Sequence, residues 1–202
     1  MSADYPVTAS ETLFQGRVVA LRRDTVQMPD GALAVREVVE HPGAVGVVAL
    51  DEDVNIVLVN QYRHPVGRRL DELPAGLLDV EGESALDGAK RELAEEAQLA
   101  ADEWHVLVDL YPTPGMSSEA IRIYLARGLR AQQPDAAFRA THEEVTLTVR
   151  RLPLGEAVRR AEAGELTNAA AVAGVLAAAH GAATGWAGLR PADAPWPARP
   201  GR

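Results

Sequence analysis

The chain of 202 residues is 47% hydrophobic and 24% charged, enough apolar material for one elaborated globular domain or two small ones. Its net charge of −9 argues against duplex nucleic acid or an anionic membrane as partner, but not against an anionic small molecule reached through divalent cations. Cysteine is absent, which excludes disulfides, thiolate metal sites and a cysteine nucleophile; with no basic-then-apolar leader in MSADYPVTAS and no long apolar run, a cytoplasmic protein is expected.

Residues 1–40 read as short antiparallel strands, 16–28 (GRVVALRRDTVQM) and 32–41 (ALAVREVVEH), around a Pro29-Asp30-Gly31 turn. The apolar runs 43–50 (GAVGVVAL) and 54–63 (VNIVLVNQYR) read as buried strands joined by a turn at 51–53. Residues 63–83 read as a loop and 84–97 as a helix. Further strands are expected within 104–115, 120–129 and 144–153, then helices over 154–165 and 167–182. The stretch 183–202, rich in Pro, Ala and Gly, reads as a disordered tail. Strands mixed with a few helices give an α/β class, with a small antiparallel β module over 1–40 ahead of a main domain over 41–182.

The helix is unusual. The run ESALDGAKRELAEEAQL, 83–99, holds Glu83, Asp87, Glu92, Glu95 and Glu96, although like charges one turn apart destabilise a helix. At about 100° per residue, Glu92, Glu95 and Glu96 share one edge, beside an apolar arc of Leu86, Ala89, Leu93 and Ala97. Oxygen donors gathered in this way suit Mg²⁺ or Mn²⁺; the plain alternative is a solvated acidic face.

Together with the preceding loop, the pattern resembles the Nudix box, G-x5-E-x7-R-E-U-x-E-E-x-G-U. The matching residues are Gly76, Glu83, Arg91, Glu92, Leu93, Glu95, Glu96 and Leu99. Two positions depart: one extra residue separates Gly76 from Glu83, in a loop where insertion is cheap, and Gln98 replaces the second glycine. Gln98 falls where helices often close in a left-handed conformation, a strain that touches no ligand. The resemblance implies a Nudix α/β/α sandwich with a mixed β-sheet. It implies metal ligation by Glu92, Glu96, Glu95 and the Ala75 carbonyl, with Arg91 and Glu83 supporting them; for Arg91 the alternative is an ordinary salt bridge.

The likeness extends to the ADP-ribose pyrophosphatase group. Pro114 stands fifteen residues after Leu99, in YPTPGMSSE, and the resemblance makes Pro114, Gly115 and Glu119 a substrate loop, with Thr113 where serine is usual. Otherwise Pro114 is a turn proline. Arg63, in NQYRHPVG, matches an arginine that meets the substrate diphosphate, and His64 reads as a loop residue. Glu72 either helps at the metal site or pairs with Arg68 or Arg69. For the general base the resemblance points to a late loop, where Glu143 is preferred over Glu144, with His142 incidental. The implied activity is Mg²⁺-dependent (or Mn²⁺-dependent) hydrolysis of ADP-ribose to AMP and ribose 5-phosphate. Other nucleoside diphosphate sugars or NADH are alternative substrates, and a non-catalytic ADP-ribose sensor is the alternative class. Residues 1–40 match a module through which such enzymes form homodimers.

Overall fold

The computed structural model describes residues 5–136, 138–139 and 145–199. The N-terminal strands β1 (Val7–Gln15), β2 (Ala20–Gln27) and β3 (Leu33–Glu40) pair antiparallel in a sheet of their own. β1 is an addition to the strands expected from the sequence. Among the described residues of this sheet and its turns only Ala20 and Asp24 are buried, whereas Val7, Leu13, Phe14, Leu33 and Val35 are exposed.

Two further sheets form the main body. β4 (Ala44–Ala49), β7 (Ala75–Leu77), β8 (Leu99–Leu110), β9 (Ile121–Ala131) and β11 (Arg190–Pro191) run in the order β11-β8-β9-β4-β7. β5 (Asn55–Arg63), β6 (Arg68–Glu72) and β10 (Thr148–Pro153) run β10-β5-β6. The β4–β9 ladder is parallel and the other named ladders are antiparallel, so the five-stranded sheet is mixed.

Strand alternation sends side chains to two cores. Val45, Val47, Tyr124 and Ala126 face helix α1 (Ala85–Ala97), whose Ala89, Leu93 and Ala97 pack on them. Val48, Ile123 and Leu125 point the other way, to helices α2 (Leu154–Glu162) and α3 (Ala169–Ala183) through Leu154, Ala157, Ala171 and Val175. Sheet strands covered on both faces read as continuous apolar runs, which is why GAVGVVAL lacks polar alternation. Helices on both faces of a mixed sheet match the expected sandwich.

Two expectations need correction. Residues 63–83 are not all loop, since β6 and β7 lie within them. The C-terminal stretch is not a loose tail as far as Arg199. Arg190 and Pro191 pair with Val106 and His105 of β8, and the buried Arg122 donates to the carbonyls of Ala194 (2.6 Å) and Pro195 (2.9 Å). The Trp196 ring covers the same guanidinium at 4.9 Å. A composition that cannot build its own core is thus ordered by docking onto another one.

Candidate active site

The site is built where β7 meets α1. β7 is a three-residue strand held to β4 by the Ala44–Leu77, Val45–Gly76 and Gly46–Ala75 pairs. Helix α1 starts at an N-cap on Ser84, whose hydroxyl accepts the Asp87 N–H at 3.0 Å, and ends at Gln98, at φ 55° and ψ 41°. The left-handed C-terminal turn is therefore made without glycine. Leu93 and Ala97 bury one face of α1, and Glu92 and Glu96 meet β7.

Backbone and carboxylates meet closely there. The Ala75 N–H donates to Glu96 Oε2 at 2.9 Å. Gly76 faces Glu92: a Cβ at position 76 would lie 1.9 Å from Glu92 Oε1. The box glycine is required here by this approach, not by a positive φ.

Arg91 organises the acidic edge. Its Nε and Nη2 donate to Glu83 at 2.9 and 3.1 Å, and its Nη1 donates to Glu92 at 2.6 Å and Glu95 at 3.1 Å. One planar fork thus serves three carboxylates. The side chains of Glu83, Glu92 and Glu95 keep only 13%, 12% and 16% of their exposure, so the edge is not a freely solvated face. Hydrogen bonding to Glu83, opposed by burial and reinforced by the Glu92 charge, raises the Arg91 guanidinium still further above its ordinary value.

Burial pushes the Glu96 carboxyl up to about 8; the Ala75 N–H and Arg63 pull it down, and Glu92 and Glu72 push it up again. Among the described residues no three acidic or histidine side chains converge as a preformed metal centre, because Arg91 draws Glu92 and Glu95 to itself. The donor set still fits a hard divalent cation: its atoms are oxygens, and the buried Glu96 feels the like charges of Glu92 and Glu72, which a cation would offset.

Arg63 and Glu72 form a bidentate pair, Nε to Oε1 at 2.9 Å and Nη2 to Oε2 at 2.7 Å. Of the two alternatives for Glu72, the pairing with Arg68 or Arg69 is thereby corrected: its partner is Arg63. Arg69 instead donates to Asn60 Oδ1 and to the carbonyls of Asn60 and Thr146. His64 opens a short 3-10 turn, His64–Val66, and is exposed.

The Pro114 loop joins the same end of β4. The Leu78 N–H donates to the Gly43 carbonyl, and the Ala44 N–H to the Ala120 carbonyl, so the loops around 78 and 113–120 flank one strand terminus. Pro114 sits in a turn in which the N–H groups of Met116 and Ser117 reach the Thr113 carbonyl; Gly115 is in open space. The Glu119 N–H donates to Ser117 Oγ, and its carboxylate lies 3.9 Å from His41 Nε2. The His41 ring in turn accepts the Gly43 N–H at Nδ1, and the His41 backbone N–H donates to Ser118 Oγ. His41 was not anticipated, since a lone histidine after a strand carries no pattern. His142, Glu143 and Glu144 lie outside the described residues.

Comparison with known proteins agrees with this architecture. A family model described as NUDIX domain matches residues 40–168, and one described as nucleoside diphosphate sugar hydrolase N-terminal domain matches 6–39. A Mycobacterium tuberculosis protein named ADP-ribose pyrophosphatase is 52% identical over 198 residues, covering 98% of this chain and 93% of that one. A Bacillus subtilis protein of the same name is 33% identical over 168 residues, 83% of this chain and 89% of that one. The crystal structure of an ADP compounds hydrolase superposes with a TM-score of 0.76 at 22% identity, over 91% of this chain and 97% of its own, a likeness of fold. With the family model running from the end of β3 to the residue before α3, and the box residues gathered where α1 meets β7, this chain belongs to the Nudix family.

Proposed function

We propose that the protein hydrolyses the diphosphate bond of ADP-ribose, giving AMP and ribose 5-phosphate, in a reaction that depends on Mg²⁺ or Mn²⁺. The observation that carries the reaction class is the meeting of Glu92 and Glu96 with the Ala75–Gly76 backbone under the Arg91 fork. The substrate follows the two relatives named ADP-ribose pyrophosphatase.

In this reading Glu92, Glu95, Glu96 and the Ala75 carbonyl hold the divalent ions, and Arg91 with Glu83 keeps the carboxylates in place. Such ions, when bound, neutralise phosphate oxygens and lower the pKa of a water. Arg63 meets the diphosphate, Pro114, Gly115 and Glu119 border the sugar side, and Glu143 takes the proton from the attacking water. Water adds across one P–O bond of the bridge, so one phosphate keeps the bridging oxygen and the other gains the hydroxyl.

A homodimer through β1–β3 belongs to the same reading. It is supported by the exposed Val7, Leu13, Phe14, Leu33 and Val35 on a sheet with almost no core. A second substrate class, other nucleoside diphosphate sugars, is favoured by the match of residues 6–39 to an N-terminal domain of that description.

The test is a panel of ADP-ribose, nucleoside diphosphate sugars, NADH and 8-oxo-dGTP, each with Mg²⁺, with Mn²⁺ and with EDTA. AMP and ribose 5-phosphate from ADP-ribose, abolished by EDTA, is the expected outcome. A preference for 8-oxo-dGTP, or turnover untouched by EDTA, overturns the reading.

A further inference from the structure

Glu72 is a charge in a costly place. It lies on β6 opposite Val59 of β5 and is 2% exposed, while the Arg63 side chain that it binds is 46% exposed. Taking a carboxylate out of water is expensive, and an aliphatic side chain would serve this strand better if packing were its only task. The partner was also selected. Arg68 and Arg69 lie on the same strand, yet Glu72 takes Arg63 from the end of β5, and Arg69 is turned away toward Asn60 and Thr146. A carboxylate held by β6 and bonded twice to a planar fork fixes the plane and reach of that fork. Glu72 stands three residues before Ala75, whose N–H donates to Glu96 Oε2 at 2.9 Å, so the pair sits beside the acidic edge of α1.

We propose that Glu72 is a positioning residue, a buried anchor that sets the Arg63 guanidinium in the orientation in which it binds the diphosphate of the substrate. The inference rests on the reading of the site as a diphosphate hydrolase and goes beyond it, because it gives Glu72 its effect on substrate binding through Arg63 and no part as a metal ligand. Pre-setting the arginine before substrate arrives saves the ordering cost that a loose side chain incurs on binding.

The experiment is a double-mutant cycle on binding, read by calorimetry with α,β-methylene ADP-ribose and Mg²⁺. It compares wild type, Glu72→Gln, Arg63→Ala and the double variant. Glu72→Gln keeps the shape and one acceptor, so it preserves the fold where Glu72→Ala fails to; thermal melts verify this. The expected result is about a tenfold weaker Kd for Glu72→Gln, on the scale of lost supporting contacts. Arg63→Ala weakens binding at least as much, and the double variant stays within about twofold of Arg63→Ala, since residues acting as one unit do not add. Mn²⁺ affinity without nucleotide, read by electron paramagnetic resonance, stays within about twofold of wild type for Glu72→Gln on this account. Additive losses in the cycle, a large fall in Mn²⁺ affinity, or unaltered analogue binding by Glu72→Gln each overturn the proposal. A wild-type protein that binds the analogue but hydrolyses no diphosphate defeats the parent reading alone. One that fails to bind the analogue defeats both.

Discussion

Gly76 and Glu92 cannot both carry a full side chain where they meet: a Cβ on residue 76 would lie 1.9 Å from Glu92 Oε1 and 2.1 Å from its Cδ. The displaced group is the far end of a flexible side chain, so the fold can yield cheaply while the carboxylate cannot stay. Gly76→Ala is therefore expected to leave the circular dichroism spectrum and melting point near wild type and to lower kcat/KM by about a hundredfold, the range of disturbed metal supports. A melting point that collapses with activity intact would reverse the assignment.

Arg91 offers a second separation of charge from geometry. A lysine keeps the cation but presents no fork, so it cannot reproduce two bonds to Glu83 together with those to Glu92 and Glu95. Arg91→Lys should lose about ten- to a hundredfold in activity or in Mg²⁺ affinity. Steady-state rates over a Mg²⁺ titration measure it, and full activity at ordinary Mg²⁺ would reduce the residue to a simple counter-charge.

Gln98 holds φ at 55°, a conformation that costs a side-chain-bearing residue about 1–2 kcal/mol. Gln98→Gly, restoring the usual box residue, should raise unfolding free energy by about 1 kcal/mol with turnover unchanged, read as a higher urea midpoint at constant slope. A lower midpoint would mean that Gln98 makes contacts worth more than its strain.

The Asp109–Arg122 pair predicts a pH dependence. Burial raises the Asp109 carboxyl, but the hydrogen bonds from Arg122 and Arg190 outweigh it and the net shift is downward. Its unfolded value is about 3.9, so the pair's contribution is complete above that pH and is lost as pH falls through the lower folded value. Asp109→Asn leaves the 2%-exposed Arg122 without its counter-charge and should cost about 3–5 kcal/mol at pH 7. Urea denaturation from pH 7 to 2.5 should show the gap to wild type closing below about pH 4; a gap constant across that range would remove Asp109 from the account.

What the sequence disclosed were the features with a local signature. Helix α1 begins and ends within a residue of the 84–97 expectation, because its cap, its apolar period and the left-handed Gln98 all lie inside one short window. The runs feeding β4 and β5 were equally plain. β6 escaped because its pattern of charged residues, RRLDE, reads as loop until β5 lies beside it, and β7 is only three residues long. Glu72 was legible as a charge but not as the partner of Arg63, a choice made across a strand pair. The docking of residues 190–199 was hidden for the same reason: Arg122 and the Ala194 carbonyl are 72 positions apart.

That separation has a consequence for how the molecule comes into being. As the chain is synthesised, β9 emerges long before the segment that caps its buried guanidinium, so a nascent protein carries Arg122 beside Asp109 with two carbonyls and a tryptophan ring still to come. Maturation of the outer face beside α1 is thus deferred until residues 194–196 have followed, and a body cut short before them keeps its last clasp unfastened.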